Sequence, residues 1–244
     1  MSSTQSTRGT ALAGPLLIVN PKAYLYGDEA LQLARLADEL ADSFGITTIF
    51  TAQHADLRLV AENTENLTVT AQHMDPIAPG RGMGHILPES LVTAGARAVV
   101  LNHAEHALTL ADLDATIQRA REVGLSTIVC ADTDAQCRAV AHLGPDVMIC
   151  EPTAAIGKGV MEEGDYVPRT TAVVKEVDPS ILVIQAAGVS RGDDVRRVLA
   201  QGADGSGGTS GIIKHPDHRE ILTEMYTAIR DHRDAANWEE EQTC

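Results

Sequence analysis

The sequence predicts an α/β protein built as a closed (β/α)8 barrel in a single domain, and three observations predict it. Short apolar runs alternate with amphipathic stretches along the chain, with no linker and no break in composition. The runs are continuously apolar, as expected of parallel strands covered on both faces. Counting one glycine-rich segment, eight strand–helix units fit into the 244 residues. Eight units favour a closed barrel over an open doubly wound sheet, and no G-x-G-x-x-G follows the first strand.

Taken in order, residues 1–13 are small and polar and are expected to form a loose, flexible tail ahead of a barrel over 14–233. The run Leu16–Val19 is the first strand and ends at Asn20-Pro21-Lys22. A helix over Asp28–Phe44 follows, with Leu33, Leu36, Ala37 and Leu40 on one face and Gly45 as its stop. Thr47–Thr51 is the second strand, trailed by a short helix near Asp56–Glu62. Leu67–Ala71 is the third, leading into Pro79-Gly80-Arg81-Gly82-Met83-Gly84 and a helical turn near Pro88–Ala94. Ala98–Leu101 is the fourth and ends at Asn102-His103-Ala104-Glu105. Thr109 and Asp112 open the next helix with a capping-box pattern, and Leu110, Leu113, Ile117 and Ala120 form its buried stripe. Ser126–Cys130 is the fifth strand, with a helix near Asp134–His142. Val147–Cys150 is the sixth, followed by Glu151, Pro152 and a loop closing on Gly157-Lys158-Gly159. A helix near Arg169–Val177, a seventh strand at Ile181–Ile184 and a helix at Asp193–Gln201 come next. The eighth unit is Gly205-Ser206-Gly207-Gly208-Thr209-Ser210 with a helix from His218 to His232; an acidic tail over 234–244, including Trp238, is left without a role.

Composition narrows the partners. The formal charge is −15, and Lys22, Lys158, Lys175 and Lys214 are the only lysines. Such an acidic balance argues against nucleic acid or an anionic membrane as partner. Cys130, Cys137, Cys150 and Cys244 show no paired metal-ligand spacing and read as reduced thiols. No apolar run approaches the ~18 residues of a membrane span, and the start lacks the apolar segment of a signal peptide. A cytoplasmic, soluble protein is expected.

In a barrel of this kind the strand C-terminal tips share one mouth, where polar residues read as catalytic. Glu151 ends a buried strand under a loop that is proline-stiff at its start and glycine-loose at its end, which suits proton transfer away from water. It is equally readable as the last residue of a strand. Lys22 is a surface lysine or a site cation, His103 a satisfied core histidine or a catalytic one, and Gly205–Gly211 a floppy turn or an anion cradle. Four such features at one mouth favour the functional readings together.

Asn-x-Lys at Asn20–Lys22, Asn-His-x-Glu at Asn102–Glu105 and Glu-Pro-x-x-x-Ile-Gly-x-Gly at Glu151–Gly159 resemble the triosephosphate isomerase family from about Pro15 to Met225. Gln53-His54-Ala55-Asp56-Leu57, Ala71-Gln72-His73 and Leu87-Pro88-Glu89 are similar to its shorter, archaeal-type branch. The resemblance implies a TIM barrel that interconverts dihydroxyacetone phosphate and D-glyceraldehyde 3-phosphate through an enediolate, in glycolysis and gluconeogenesis. It implies Glu151 as base, His103 as neutral electrophile, Lys22 as cation for the phosphate and the enediolate, Asn20 beside the carbonyl oxygen, and Glu105 as the partner that orients Lys22. The lid would be Pro152–Gly159. The phosphate would meet amides of Ile156, Gly157, Gly188, Thr209 and Ser210, the last two beside a helix N-terminus. No metal or organic cofactor is called for, and a homodimer or homotetramer is implied.

The sequence departs from the family at four places. The eighth strand holds three glycines and no branched apolar residue, and is expected to pack poorly. Ala186 stands where a glycine is usual, Met83 where a threonine normally helps the dimer contact, and Lys158 and Met161-Glu162-Glu163-Gly164 continue the lid unusually. These departures keep two alternatives in view: an isomerase of another small phosphorylated sugar such as a tetrulose phosphate, and a barrel that binds a phosphorylated sugar without turning it over.

Overall fold

The computed structural model describes residues 12–155 and 164–243. Eight parallel strands close on themselves in chain order: β1 Leu16–Val19, β2 Thr47–Ala52, β3 Leu67–Ala71, β4 Ala98–Leu101, β5 Ser126–Ala131, β6 Val147–Cys150, β7 Leu182–Gln185 and β8 Gly205–Gly208. Pairing β1 to β8 in register, Leu16 opposite Gly205 and Ile18 opposite Gly207, completes the ring. The helices around it are α1 Gly27–Phe44, α2 Leu57–Ala61, α3 Pro88–Thr93, α4 Leu110–Val123, α5 Asp134–Ala141, α6 Tyr166–Val177, α7 Gly192–Ala200, α8 Ser210–Ile213 and α9 His218–Thr243. The expected (β/α)8 barrel is what the chain forms.

Strand periodicity splits the apolar residues into two cores. Leu16, Ile18, Ile49, Val100, Ile128, Ile149 and Ile184 fill the barrel's interior. Their neighbours Leu17, Val19, Phe50, Val99, Met148 and Val183 point outward, against the apolar stripes of the helices. That alternation positions the site. Two residues beyond Ile18 the chain reaches Asn20, and two beyond Ile149 it reaches Glu151, so both belong to the inward-facing set at the mouth.

β8 corrects the expectation of poor packing. All four residues are buried and paired to β1, and Gly205 and Ser206 are paired to β7 as well. A Cβ on Gly205 would lie 2.6 Å from Cδ1 and 2.7 Å from the carbonyl oxygen of Leu16. At Gly207, with φ +139°, it would come within 2.1 Å of the Ile18 carbonyl oxygen. β1 therefore occupies the space that side chains on β8 would fill, and the glycines are what lets the ring close.

Element ends differ modestly from the expected ones. α6 begins at Tyr166 rather than near Arg169, because Pro168 falls in its first turn, where a missing N–H costs the helix nothing. α9 continues to Thr243 instead of ending at His232, since no glycine or proline interrupts it. β7 lies one residue later than expected, and the helix that opens at Ser210 is the single turn α8, separate from α9. Of the tail expected over 1–13, residues 1–11 lie outside the described residues.

Candidate active site

Lys22, His103 and Glu151, singled out in the sequence, meet at the C-terminal mouth of the barrel. A cavity of about 260 Å³ is lined by Asn20, Lys22, His103, Glu105 and Glu151 on one side and by Gly188, Gly208, Thr209 and Ser210 on the other. Ile18, Val100 and Ile149 form its apolar floor.

Glu151 enters from the end of β6, where its N–H donates to the Ala131 carbonyl. Its side chain is only 13 % exposed. Burial pushes its carboxyl up to about 7, with the nearby Lys22 charge pulling it back. A carboxylate poised there shuttles between acid and base at neutral pH.

His103 follows β4, where Asn102 turns the chain at φ 58° with its amide nitrogen donating to the Cys130 carbonyl and its oxygen accepting the Leu108 N–H. Nδ1 of His103 accepts the backbone N–H of Glu105 at 3.1 Å. In the neutral ring the proton therefore sits on Nε2, which lies 3.5 Å from Oε1 of Glu151. Burial, and then the charge of Lys22, holds the imidazole pKa below its ordinary value. A neutral ring can donate to a carbonyl oxygen and take the proton back at the same nitrogen.

Lys22 follows β1 and is largely buried. Its Nζ donates to Oε1 of Glu105 at 2.9 Å. Burial raises the Glu105 carboxyl, but the Lys22 hydrogen bond and charge outweigh it and hold the group below its usual range. Oδ1 of Asn20 accepts both the Lys22 N–H and the Thr51 hydroxyl, at 3.0 and 2.6 Å.

The opposite wall is backbone. Gly188 has φ 76° in the turn after β7, and Thr209 and Ser210 open α8. A Cβ on Gly211 would lie 2.5 Å from Cα of Ser190, so α8 sits directly against that turn. Ser190 is itself fixed by its N–H and hydroxyl, both donating to Asp194. Thus Asn20, Lys22, His103, Glu105, Glu151, Gly188, Thr209 and Ser210 are brought together; Ile156 and Gly157 lie outside the described residues. Among the described residues, no group of three His, Cys, Asp or Glu side chains is arranged to hold a metal ion.

Sequence reasoning quoted Gln53 and Gln72 only within the motifs of the archaeal-type branch and gave them no role; they reach the rim from the ends of β2 and β3 and bond to the backbone of Lys22. Continuing the inward period of two past Ile49 and Thr51 would have pointed at Gln53, and past Thr70 at Gln72.

The triosephosphate isomerase family profile matches residues 15–225. Among curated relatives, the triosephosphate isomerase of Methanocaldococcus jannaschii is 36% identical over 219 residues, covering 88% of this chain and 100% of that protein. That of Methanopyrus kandleri is 38% identical over 221 residues, covering 88% and 98%. That of Caldivirga maquilingensis is 37% identical over 216 residues, covering 86% and 96%. With residues 15–225 matched by the family profile and Lys22, His103 and Glu151 at one mouth, the chain belongs to the triosephosphate isomerase family.

Proposed function

We propose that the chain interconverts dihydroxyacetone phosphate and D-glyceraldehyde 3-phosphate. The observation that carries this reading is the juxtaposition of a carboxylate with a pKa near 7 and a neutral imidazole with its proton on Nε2. Glu151 removes the proton from the carbon beside the substrate carbonyl. Nε2–H of His103 donates to the carbonyl oxygen, stabilises the enediolate and moves protons between its two oxygens. Lys22, aimed by Glu105, supplies positive charge to the phosphate and the enediolate, and Asn20 helps place the carbonyl oxygen. Glu151 then returns its proton to the neighbouring carbon, so nothing is consumed.

The phosphate lies against amides of Gly188, Thr209 and Ser210; the resemblance assigns Ile156 and Gly157, which lie outside the described residues, to the same phosphate. The glycines of β8 close the ring against Leu16 and Ile18, which removes the reason for tying them to a different sugar. The near full-length likeness to relatives named triosephosphate isomerase favours the triose over a tetrulose phosphate and over binding without turnover.

The protein acts as a homo-oligomer in the cytoplasm, without a cofactor. Tyr24, Tyr26 and Met83 are exposed apolar side chains, as an assembly surface would present. No described helix is long and apolar enough to cross a membrane, and the three described cysteines are free and buried. The test is a substrate panel: purified protein should turn over the triose phosphates with kcat/KM near ~10⁸ M⁻¹s⁻¹. Fast turnover of a tetrose phosphate alongside a far slower triose rate would overturn the assignment. Light scattering checks the assembly, where a monomer at working concentration would count against it.

A further inference from the structure

Two carboxamides converge on one carbonyl beside the reaction centre. Lys22 has φ 49°, a left-handed backbone that few lysines adopt. Nε2 of Gln72 donates to its carbonyl oxygen at 3.0 Å and Nε2 of Gln53 at 3.2 Å. Gln53 Nε2 also donates to Oε1 of Gln72 at 2.8 Å, so the pair moves as a unit. The N–H of the same lysine is held by Asn20, itself fixed by Thr51. Side chains from the ends of three strands thus grip both sides of one residue's backbone.

Both glutamines are half-buried at the mouth, where their amides could be satisfied by water. Instead they point at the carbonyl of Lys22, whose backbone is left-handed and whose ammonium faces the cavity. An amide is also the fitting donor. A lysine or arginine in its place would add a positive charge that repels the Lys22 ammonium it is meant to place. A glutamate would offer no donor and would repel Glu105 and Glu151.

We propose that Gln53 and Gln72 are positioning residues for the isomerisation, holding Lys22 in its left-handed conformation and so placing its ammonium in the cavity. This rests on the reading of Lys22 as the cation that meets the substrate. The glutamines touch no reacting atom; they act through Lys22.

The experiment compares Gln53→Leu, Gln72→Leu, their combination and Gln72→Glu, each in the native protein and in a Lys22→Ala background. Turnover of the triose phosphates, calorimetric titration with inorganic phosphate and urea unfolding are measured. In the native background the double leucine variant should lose about 10²-fold in kcat/KM, the size of effect that a misplaced site group produces. Its phosphate affinity should fall roughly tenfold, as for one weakened charge-assisted contact. The leucine variants should leave the acid limb of the pH profile where it is, whereas Gln72→Glu, which keeps the size, removes the donor and adds a negative charge, should lose at least as much activity as Gln72→Leu and move that limb upward. Without Lys22 the same changes should cost less than about threefold on the same reasoning. Equal losses with and without Lys22, or full activity in the double variant, would overturn the proposal. If the native protein turns over neither triose phosphate, the functional reading fails, while the phosphate titrations, which need no turnover, still decide the role of the glutamines.

Discussion

Nε2 of His103 lies 3.5 Å from Oε1 of Glu151, while Nδ1 of the same ring accepts the N–H of Glu105. That one N–H fixes the tautomer, and the tautomer decides which way protons run. With Nδ1 occupied as an acceptor, the ring meets the cavity only as a donor at Nε2. The 3.5 Å separation is longer than a good hydrogen bond, so the acid and the base face one another across the cavity wall without being paired to each other.

The pH dependence follows from the two groups together. Glu151 works as a base only when ionised, and burial places its pKa at about 7. The imidazole pKa is held below its ordinary value, so the ring is already neutral there. As pH falls through about 7, kcat/KM should decline with the slope of a single proton. Initial rates across a buffer series test this, and a two-proton limb in the same window would count against a neutral ring.

Glu151→Gln should separate activity from stability. A positioned general base contributes ~10²–10⁴-fold, and turnover should fall at least that far. Stability should move the other way. Near pH 4 the carboxyl is protonated whether the chain is folded or not, and burying it then carries no charge penalty. Between the ordinary value of 4.5 and about 7 the folded protein keeps a proton that the unfolded chain releases, so stability falls as pH rises. Above about 7 the full penalty stands, roughly 3 kcal/mol at most. Urea unfolding should find the variant more stable than the native protein at pH 8, with the difference gone near pH 4.

His103→Asn should remove the Nε2 donor while leaving the cavity open. Loss of one donor aimed at developing negative charge costs on the order of 10²–10³ in kcat. Competitive inhibition by inorganic phosphate should hardly change, since the phosphate wall lies across the cavity at Gly188, Thr209 and Ser210. A parallel loss of phosphate affinity would mean that His103 binds the substrate rather than activating it.

Outside the site, the Tyr226 hydroxyl is buried between α9, β2 and α1. It donates to the Ala37 carbonyl at 3.0 Å and pairs with the Thr48 hydroxyl at 2.8 Å. Tyr226→Phe leaves both partners buried without it and should cost about 1–3 kcal/mol in urea unfolding. Turnover should stay at the native level, because the residue faces the outer core and not the mouth.

Much of the site was legible because strand geometry is local. Apolar runs mark the strands, a period of two carries the inward face to Asn20 and Glu151, and the motifs mark Lys22 and His103. What was not legible depends on contacts between distant parts of the chain. The grip on Lys22 comes from Gln53 and Gln72, 31 and 50 residues away; the period of two in their own strands carries them to the mouth but does not say which backbone they hold. The left-handed backbone at Lys22 is likewise invisible in the string Asn-Pro-Lys. β8 was misjudged for the same reason: its glycines make sense only beside Leu16 and Ile18, residues from the other end of the barrel.

That reading of β8 has a direct test in Gly207→Ala. Two costs coincide at this position. With φ +139° any L side chain is strained, and the new Cβ would come within 2.1 Å of the Ile18 carbonyl oxygen, a backbone atom held in the β1–β8 ladder. Neither strand can give way without opening the ring, so the loss should exceed the ~1–3 kcal/mol of ordinary overpacking. Gly202→Ala serves as the control, because it shares a positive φ, +95°, but meets nothing within 4 Å. Strain alone should cost it only about 1–2 kcal/mol. Urea unfolding of the two variants therefore divides strain from collision, and equal losses would show that β1 does not need the space the glycine leaves.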